Sequence, residues 1–203
     1  MKARITLAND HGCDAVDPDN IDGFLNDEDG QNGTGWSLTE DDYVSFVTQL
    51  ADHAHGLTTK RGSTLLIGQK NAPELVRRLG TVLDFAVLED CKSLNDDDPF
   101  PFCGDFQAYI QQGKPVLSIE YPSTLGNPQT GACNARGASD GQYIESCDAT
   151  KENADFSTVL KIRGDVGELN GCTQYCGGGP GTGVVTTATD SNQDGATCPN
   201  DSQ

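Results

Sequence analysis

Short apolar runs alternate along the chain with segments whose apolar residues recur at helical spacing. Each run is bounded by turn residues and stops at a charged or polar side chain, which is typical of a buried parallel strand. Five such strands are predicted, at residues 15–16, 64–68, 85–88, 115–119 and 156–160. The pattern therefore indicates an α/β protein.

Helical segments lie between the predicted strands. The clearest helix is predicted to begin at a capping box, Ser37-x-x-Glu40, and to end at Gly56. Strands that alternate with helices and end in polar residues predict the (β/α)₈ barrel, which places its chemistry at the carboxyl ends of its strands. The apolar positions of the clearest helix are Tyr43, Phe46, Val47, Leu50, Ala51 and Ala54. Further helices are predicted near residues 73–79, 106–113 and 142–152.

The composition changes at residue 177. From there on Gly, Thr, Asp and Asn dominate and apolar density is lost, which predicts a disordered low-complexity tail over residues 177–203. Residues 190–201 mimic a calcium-binding loop, but the partner helices are missing and the twelfth position is not Glu, so low complexity is the favoured interpretation. Residues 1–176 are predicted to form one domain, a partial barrel.

Net charge narrows the choice of partner. The 203 residues include 31 acidic and 13 basic side chains, which gives a formal net charge of −18. This charge argues against nucleic acid and against an anionic membrane surface, since no basic face is available to meet phosphates. It favours a polycationic partner, although acidity that serves only solubility explains the charge equally well. No apolar run is long enough to cross a membrane.

Eight cysteines indicate disulfides formed in an oxidising compartment. There is no Cys-x-x-Cys pair and there are three histidines, so no metal site and no cofactor are predicted. Cys91 and Cys103 bracket a short loop and are the preferred pair, while Cys147 and Cys176 could tie the last predicted helix to the end of the barrel. Cys13 precedes a strand and could be a free core thiol. The other three cysteines stay unassigned, because connectivity is not readable from sequence.

Carboxylates at two predicted strand ends are the candidate catalytic groups. Asp19 follows the first strand and Glu89 ends the third. Two such carboxylates are the minimum that glycosidases typically need to cleave a glycosidic bond. Apolar Val87 and Leu88 would desolvate Glu89 and suit it to the acid role, whereas polar neighbours suit Asp19 to the ionised role. Taken singly, each has a simpler interpretation, a turn at Pro18 and a solvated strand end at Glu89.

Five motifs in register resemble glycoside hydrolase family 114, the endo-α-1,4-polygalactosaminidases and their relatives. They are GCDAVDPDNIDG at residues 12–23, GQKN at 68–71, FAVLEDC at 85–91, GKPV with IEY at 113–121, and FSTVLK at 156–161. The resemblance covers residues 3–176 and matches strands 4 to 8 of the family's barrel. It therefore implies an incomplete (β/α)₈ TIM barrel that has strands 4 to 8 only.

The same resemblance implies a function. It implies an endo-acting glycoside hydrolase that cleaves α-1,4-linked galactosamine-containing polysaccharide such as galactosaminogalactan, with Asp19 as nucleophile or base and Glu89 as general acid/base. A retaining mechanism is hypothesised. Asp17 stands where bacterial members often carry Glu, and Leu88 departs from the usual Asn beside the glutamate. The residues expected to bind the substrate are Asp17, Asn20, Lys70, Asn71, Glu120 and Tyr121.

Several of these residues have a structural alternative. Lys70 could position a carboxylate or form a salt bridge at a strand end. Asn71 could bind a sugar hydroxyl or cap the helix that follows it. Glu120 could bind a sugar amine, or pair with Lys161 or Lys70 across the barrel mouth. Tyr121 could stack on a sugar face.

The resemblance to only part of a barrel keeps other interpretations open. The chain could be a truncated, catalytically inactive relative that binds carbohydrate, or a fragment of a longer gene product. The family and the cysteines imply secretion, yet no apolar stretch of a signal peptide follows Met1. The first and last strands are expected to be open edges, with Val16, Val159 and Leu160 partly solvated. The sequence does not determine the oligomeric state.

Overall fold

The computed structural model describes residues 1–25, 35–93, 100–127, 132–133, 140–148, 152–162 and 173–176. These residues form an α/β fold with a parallel-strand sheet, consistent with the predicted partial TIM barrel. The predicted tail at 177–203 and its calcium-like loop lie outside the described residues. The chain divides into two compact units, Met1–Val87 with Gln111–Lys114, and Leu88–Ile110 with the described part of Pro115–Gln193.

All five predicted strands are present, with ends shifted by up to two residues. The helices are α1 (Lys2–Asp10), α2 (Glu40–His55), α3 (Val76–Leu79), α4 (Gln107–Gln111) and α5 (Gly141–Cys147). The strands are β1 (Ala15–Val16), β2 (Leu66–Lys70), β3 (Phe85–Glu89), β4 (Val116–Glu120), β5 (Gly126–Asn127), β6 (Ala132–Cys133), β7 (Ser157–Lys161) and β8 (Thr173–Tyr175). Short 3₁₀ helices at Pro73–Leu75 and Cys103–Phe106 lead directly into α3 and α4.

In the first unit β1, β2 and β3 lie side by side and parallel. Gly68 of β2 is opposite Phe85 of β3, and the phenyl ring lies so close that a Cβ on residue 68 would stand 2.4 Å from it. Glycine at this position therefore permits the close packing of two neighbouring strands. β1 is an edge strand among the described residues, and Val16 is half-buried, as predicted.

The start of α2 differs from the prediction. Its cap is Thr39, whose hydroxyl accepts from the backbone N–H of Asp42 at 3.3 Å while the Asp42 carboxylate accepts from the backbone N–H of Thr39 at 2.9 Å. The capping box predicted at Ser37 is therefore two residues too early, because the same spacing recurs at Thr39. Phe46, one of the apolar positions of this helix, is 41% exposed. The buried residues of α2 are Val47, Leu50, Ala51 and Ala54, and Gly56 ends the helix as predicted.

In the second unit β4 pairs with β7 in parallel. β7 is not an open edge, because β8 pairs with it antiparallel, with Leu160 opposite Gln174. Leu160 is fully buried, which overturns the prediction that it is partly solvated, while Val159 is half-buried as predicted. Leu160 packs in an apolar cluster with Leu125 and Ile162. β8 was not predicted from the sequence, because its three residues, Thr-Gln-Tyr, lack an apolar pattern.

The preferred disulfide and the second suggested one are both present. Cys91 is bonded to Cys103 directly after β3, and Cys147 at the end of α5 is bonded to Cys176 after β8. Cys13 is also disulfide-bonded, so the interpretation of it as a free core thiol is wrong. Each confirmed bridge fixes a segment next to a strand end. Within the part of the chain that the structure describes, no helix is long and apolar enough to cross a membrane.

Candidate active site

The loop after β1 carries the first group of predicted site residues. The ammonium nitrogen of Lys70, at the end of β2, lies 3.0 Å from Oδ1 of Asp19. The same carboxylate oxygen accepts the backbone N–H of Asn20 at 2.9 Å. Asn20 has a φ of 54°, a left-handed conformation that Asn tolerates better than most residues. The parallel pairing of β1 and β2 brings these two strand ends together.

The two aspartates of this loop have opposite electrostatics. Desolvation favours the protonated form of Asp19, but the hydrogen bonds from Lys70 and from the N–H of Asn20 outweigh it and hold the pKa of Asp19 below its ordinary value. Desolvation raises the pKa of Asp17 to about 7, against the attraction of Lys70 and with the help of the Asp19 charge, although Asp17 retains exposed surface. At neutral pH one carboxyl is thus fully ionised while its neighbour is close to half-protonated.

Gln69 is a residue whose role the sequence analysis missed. Its side chain is fully buried, and its amide nitrogen donates to the backbone oxygens of Asn71 at 2.9 Å and Ala72 at 2.8 Å. Asn71 and Ala72 both have positive φ, of 39° and 57°. Gln69 therefore fixes the turn that follows Lys70. The signal was a polar residue inside a buried strand, two positions before a turn.

Asn71 does not cap the helix that follows it. Ala72 is the N-cap residue of the 3₁₀ helix, with Pro73 at its first positions and no side-chain cap. The capping alternative for Asn71 is therefore wrong. Asn71 is half-buried and stays a candidate for substrate binding, since it directly follows Lys70, the cation of the ion pair with Asp19.

The second unit holds Glu89 at the end of β3. Its Oε1 accepts a hydrogen bond from the hydroxyl of Tyr121, which follows β4. Tyr121 is 5% exposed and Glu89 is half-buried. The expectation that Tyr121 stacks on a sugar face conflicts with this burial, because a ring enclosed by protein presents no face to a ligand. The structure instead places Tyr121 as a donor to the predicted acid/base.

Glu120 is also buried instead of facing a ligand. It is 1% exposed, and its carboxyl accepts from the hydroxyl of Ser118 at 2.9 Å and from the backbone N–H of Lys92 at 3.3 Å. Desolvation raises the pKa of Glu120 to about 7, against these two hydrogen bonds. The prediction of direct contact with a sugar amine conflicts with this enclosure. Lys161, one of the alternative partners, donates to Thr173 at 2.9 Å.

The structure thus brings the predicted site residues into two clusters. Asp17, Asp19, Asn20, Lys70 and Asn71 lie in the first unit, whereas Glu89, Glu120 and Tyr121 lie in the second. The assignment of Asp19 and Glu89 as the two carboxylates of one catalytic centre stays a prediction. Among the described residues one group of potential metal ligands occurs, made of Glu120 with Cys91 and Cys103, and its two sulfur atoms are joined in the disulfide.

Comparison with known proteins identifies the family. The model of glycoside-hydrolase family GH114 matches residues 1–180, and the chain belongs to this family. Among solved structures it is similar to the crystal structure of Aspergillus fumigatus Ega3 in complex with galactosamine, with 35% sequence identity and a TM-score of 0.63. That match covers 87% of this chain and 59% of the Ega3 chain, so this chain spans less than two thirds of its solved relative. No curated protein matches it.

Proposed function

We propose that the protein is a secreted, endo-acting glycoside hydrolase, which cleaves internal bonds of an α-1,4-linked galactosamine-containing polysaccharide. The observation that carries this proposal is family membership over residues 1–180, together with similarity to a protein whose structure holds galactosamine. Asp19 is the proposed nucleophile or base, and Glu89 is the proposed general acid/base. A retaining mechanism is part of the proposal.

The environment of Asp19 supports its role. A nucleophile or base must be ionised at the working pH, and the hydrogen bonds from Lys70 and Asn20 stabilise that form. They also orient the carboxylate, since both reach the same oxygen. Asp17, partly protonated near neutral pH, adds less negative charge beside Asp19 than a fully ionised carboxylate would.

Overall charge supports a cationic polymer as substrate. A formal net charge of −18 attracts a polycation over long range, and deacetylated galactosamine units carry positive amines. Salt screens such attraction. The proposal therefore predicts that binding of the polymer weakens as ionic strength rises, and that the fully N-acetylated polymer, which is uncharged, binds less tightly.

Incubation of the purified chain with partly deacetylated galactosaminogalactan tests the proposal, with mass analysis of the products. Internal cleavage gives a ladder of oligomers, and proton NMR of the first product shows whether the α configuration is retained. Asp19→Asn and Glu89→Gln are the matched inactive controls. Binding without any cleavage would favour the alternative, a catalytically inactive relative that binds carbohydrate. If the chain neither binds nor cleaves the polymer, both the proposed hydrolase and the carbohydrate-binding alternative are contradicted.

A further inference from the structure

We propose that Tyr121 positions Glu89 for proton transfer by donating its phenolic hydrogen bond to Oε1 of that carboxyl. This inference rests on the role proposed for Glu89. It gives Tyr121 a task different from the sugar stacking that the sequence suggested. Tyr121 is a positioning residue, because it acts through Glu89 and is itself buried.

The geometry of the second unit holds the two residues in place. The backbone N–H of Asp90, directly after Glu89, donates to the carbonyl of Ile119 at 2.8 Å. Two residues further on, the N–H of Lys92 donates to the Glu120 carboxyl at 3.3 Å. The segment that follows Glu89 is thus tied to the segment that precedes Tyr121.

A disulfide adds a covalent restraint to the same segment. Cys91 is bonded to Cys103, and its sulfur lies 3.9 Å from the hydroxyl of Ser118, the residue that donates to Glu120. Little freedom is left for the backbone on either side of the Tyr121–Glu89 contact. Such a contact can fix the direction of a carboxyl group, because its donor is rigid and its acceptor is anchored.

The chemistry of the contact follows from the donor. A phenol O–H that donates to one carboxylate oxygen favours the ionised form and fixes the plane of the group. The proton that Glu89 gives to the leaving oxygen, and later recovers from water, is then carried by Oε2. Charged groups on the two tied segments are Asp90, Lys92 and Glu120, and Tyr121→Phe leaves these three residues unchanged in the sequence.

The variant Tyr121→Phe tests the proposal, since it removes the hydroxyl and keeps the ring. We expect kcat on the polymer to fall on the order of tenfold to a hundredfold with little change in KM, because the acid is misdirected but the substrate contacts remain. The alkaline limb of the kcat–pH profile should move to higher pH, because the carboxylate loses a donor. Tyr109→Phe is the matched control, a second buried tyrosine of the same unit.

A second measurement does not depend on activity. The carboxyl ¹³C resonance of Glu89 is assigned by its loss in Glu89→Gln. It should titrate at higher pH in Tyr121→Phe than in wild type, whereas its titration in Tyr109→Phe should match that of wild type. An identical titration in wild type and Tyr121→Phe overturns the inference, whether or not the chain is active. A shifted titration in a chain that cleaves no polymer supports the positioning and places the failure on the proposed function.

Discussion

The ammonium of Lys70 is held 3.0 Å from the carboxylate of Asp19, although 51 residues separate them in the chain. The lysine side chain is 12% exposed and that of the aspartate is 62% exposed, so a largely buried cation supports an accessible carboxylate. An ion pair of this kind contributes little to stability where one partner is solvated. Its effect on the protonation of Asp19 matters for the proposed function, because the accessible carboxylate is the partner that could contact a substrate.

Lys70→Met removes the cation that keeps Asp19 ionised. The pKa of Asp19 should rise, because its strongest stabilising hydrogen bond is lost, and the pKa of Asp17 should rise further for lack of the same attraction. The acidic limb of the activity–pH profile should therefore move to higher pH, and activity at acidic pH should fall more than activity at neutral pH. Lys70→Arg, which keeps the charge, should restore most of the wild-type profile. A Lys70→Met profile that superimposes on wild type would contradict the role of the ion pair.

Glu89→Gln should keep the fold and lower hydrolysis of the proposed polymer substrate by about 10²–10⁴-fold, because an amide cannot deliver a proton. A substrate with an activated leaving group, such as a nitrophenyl glycoside, needs no proton at the departing oxygen. Glu89→Gln should therefore retain more of its activity on that substrate, whereas Asp19→Asn should lose activity on both. Glu152→Gln, on the surface of the same unit, is the control. If Glu89→Gln lost the same fraction of its activity on both substrates, Glu89 would not be the general acid.

Sequence periodicity predicted the elements that bury apolar side chains. β3 matched to within one residue, and α2 ended at Gly56 as predicted, because each has a regular apolar face and a recognisable end. β8 was missed because a three-residue strand of mixed polarity is defined by pairing with β7 instead of by its own pattern. That pairing also explains why Leu160 is buried, since a neighbouring strand covers what was expected to be an open edge.

Motif spacing named the candidate site residues but not the direction of their side chains. Glu120 and Tyr121 were expected to bind substrate because they belong to a motif shared with the family, yet both side chains turn into the protein and contact its own groups. Their contacts depend on the path of the segment after Glu89, which a disulfide and backbone hydrogen bonds determine. Such long-range contacts leave no local pattern in the sequence. The sequence therefore does not distinguish a residue that faces a ligand from one that holds a neighbouring side chain in place.

Gln69→Leu should lower the free energy of unfolding by about 1–3 kcal/mol, because two buried carbonyls, those of Asn71 and Ala72, lose their donor. The left-handed turn after Lys70 should loosen as a result. Urea unfolding measures the change. Gln49→Leu is the matched control, an exposed glutamine on α2 whose replacement should alter stability by no more than about 0.5 kcal/mol. Equal stability of the two variants would show that the Gln69 amide does not hold the turn.

Glu120→Gln should flatten the dependence of stability on pH. Glu120 has a pKa of about 7 in the folded protein and an ordinary value of 4.5, so the folded state keeps a proton that the unfolded chain has already lost between these values. The stability it contributes is therefore full below pH 4.5 and is lost as pH rises towards 7. From the size of the shift, this loss amounts to at most about 3 kcal/mol.

Glutamine fits the position of Glu120, because its amide oxygen can accept the N–H of Lys92 while its NH₂ donates to the hydroxyl of Ser118. Comparison of urea unfolding at pH 4.5 and pH 8 should show a smaller decrease for Glu120→Gln than for wild type. Asp17, whose pKa is also raised to about 7, produces a decrease of the same sign in both proteins, so the difference between them isolates Glu120. Glu74→Gln, a change at an exposed glutamate, should leave the wild-type decrease unaltered. If Glu120→Gln instead lost as much stability as wild type between the two pH values, Glu120 would have to be ionised in the folded protein throughout this range.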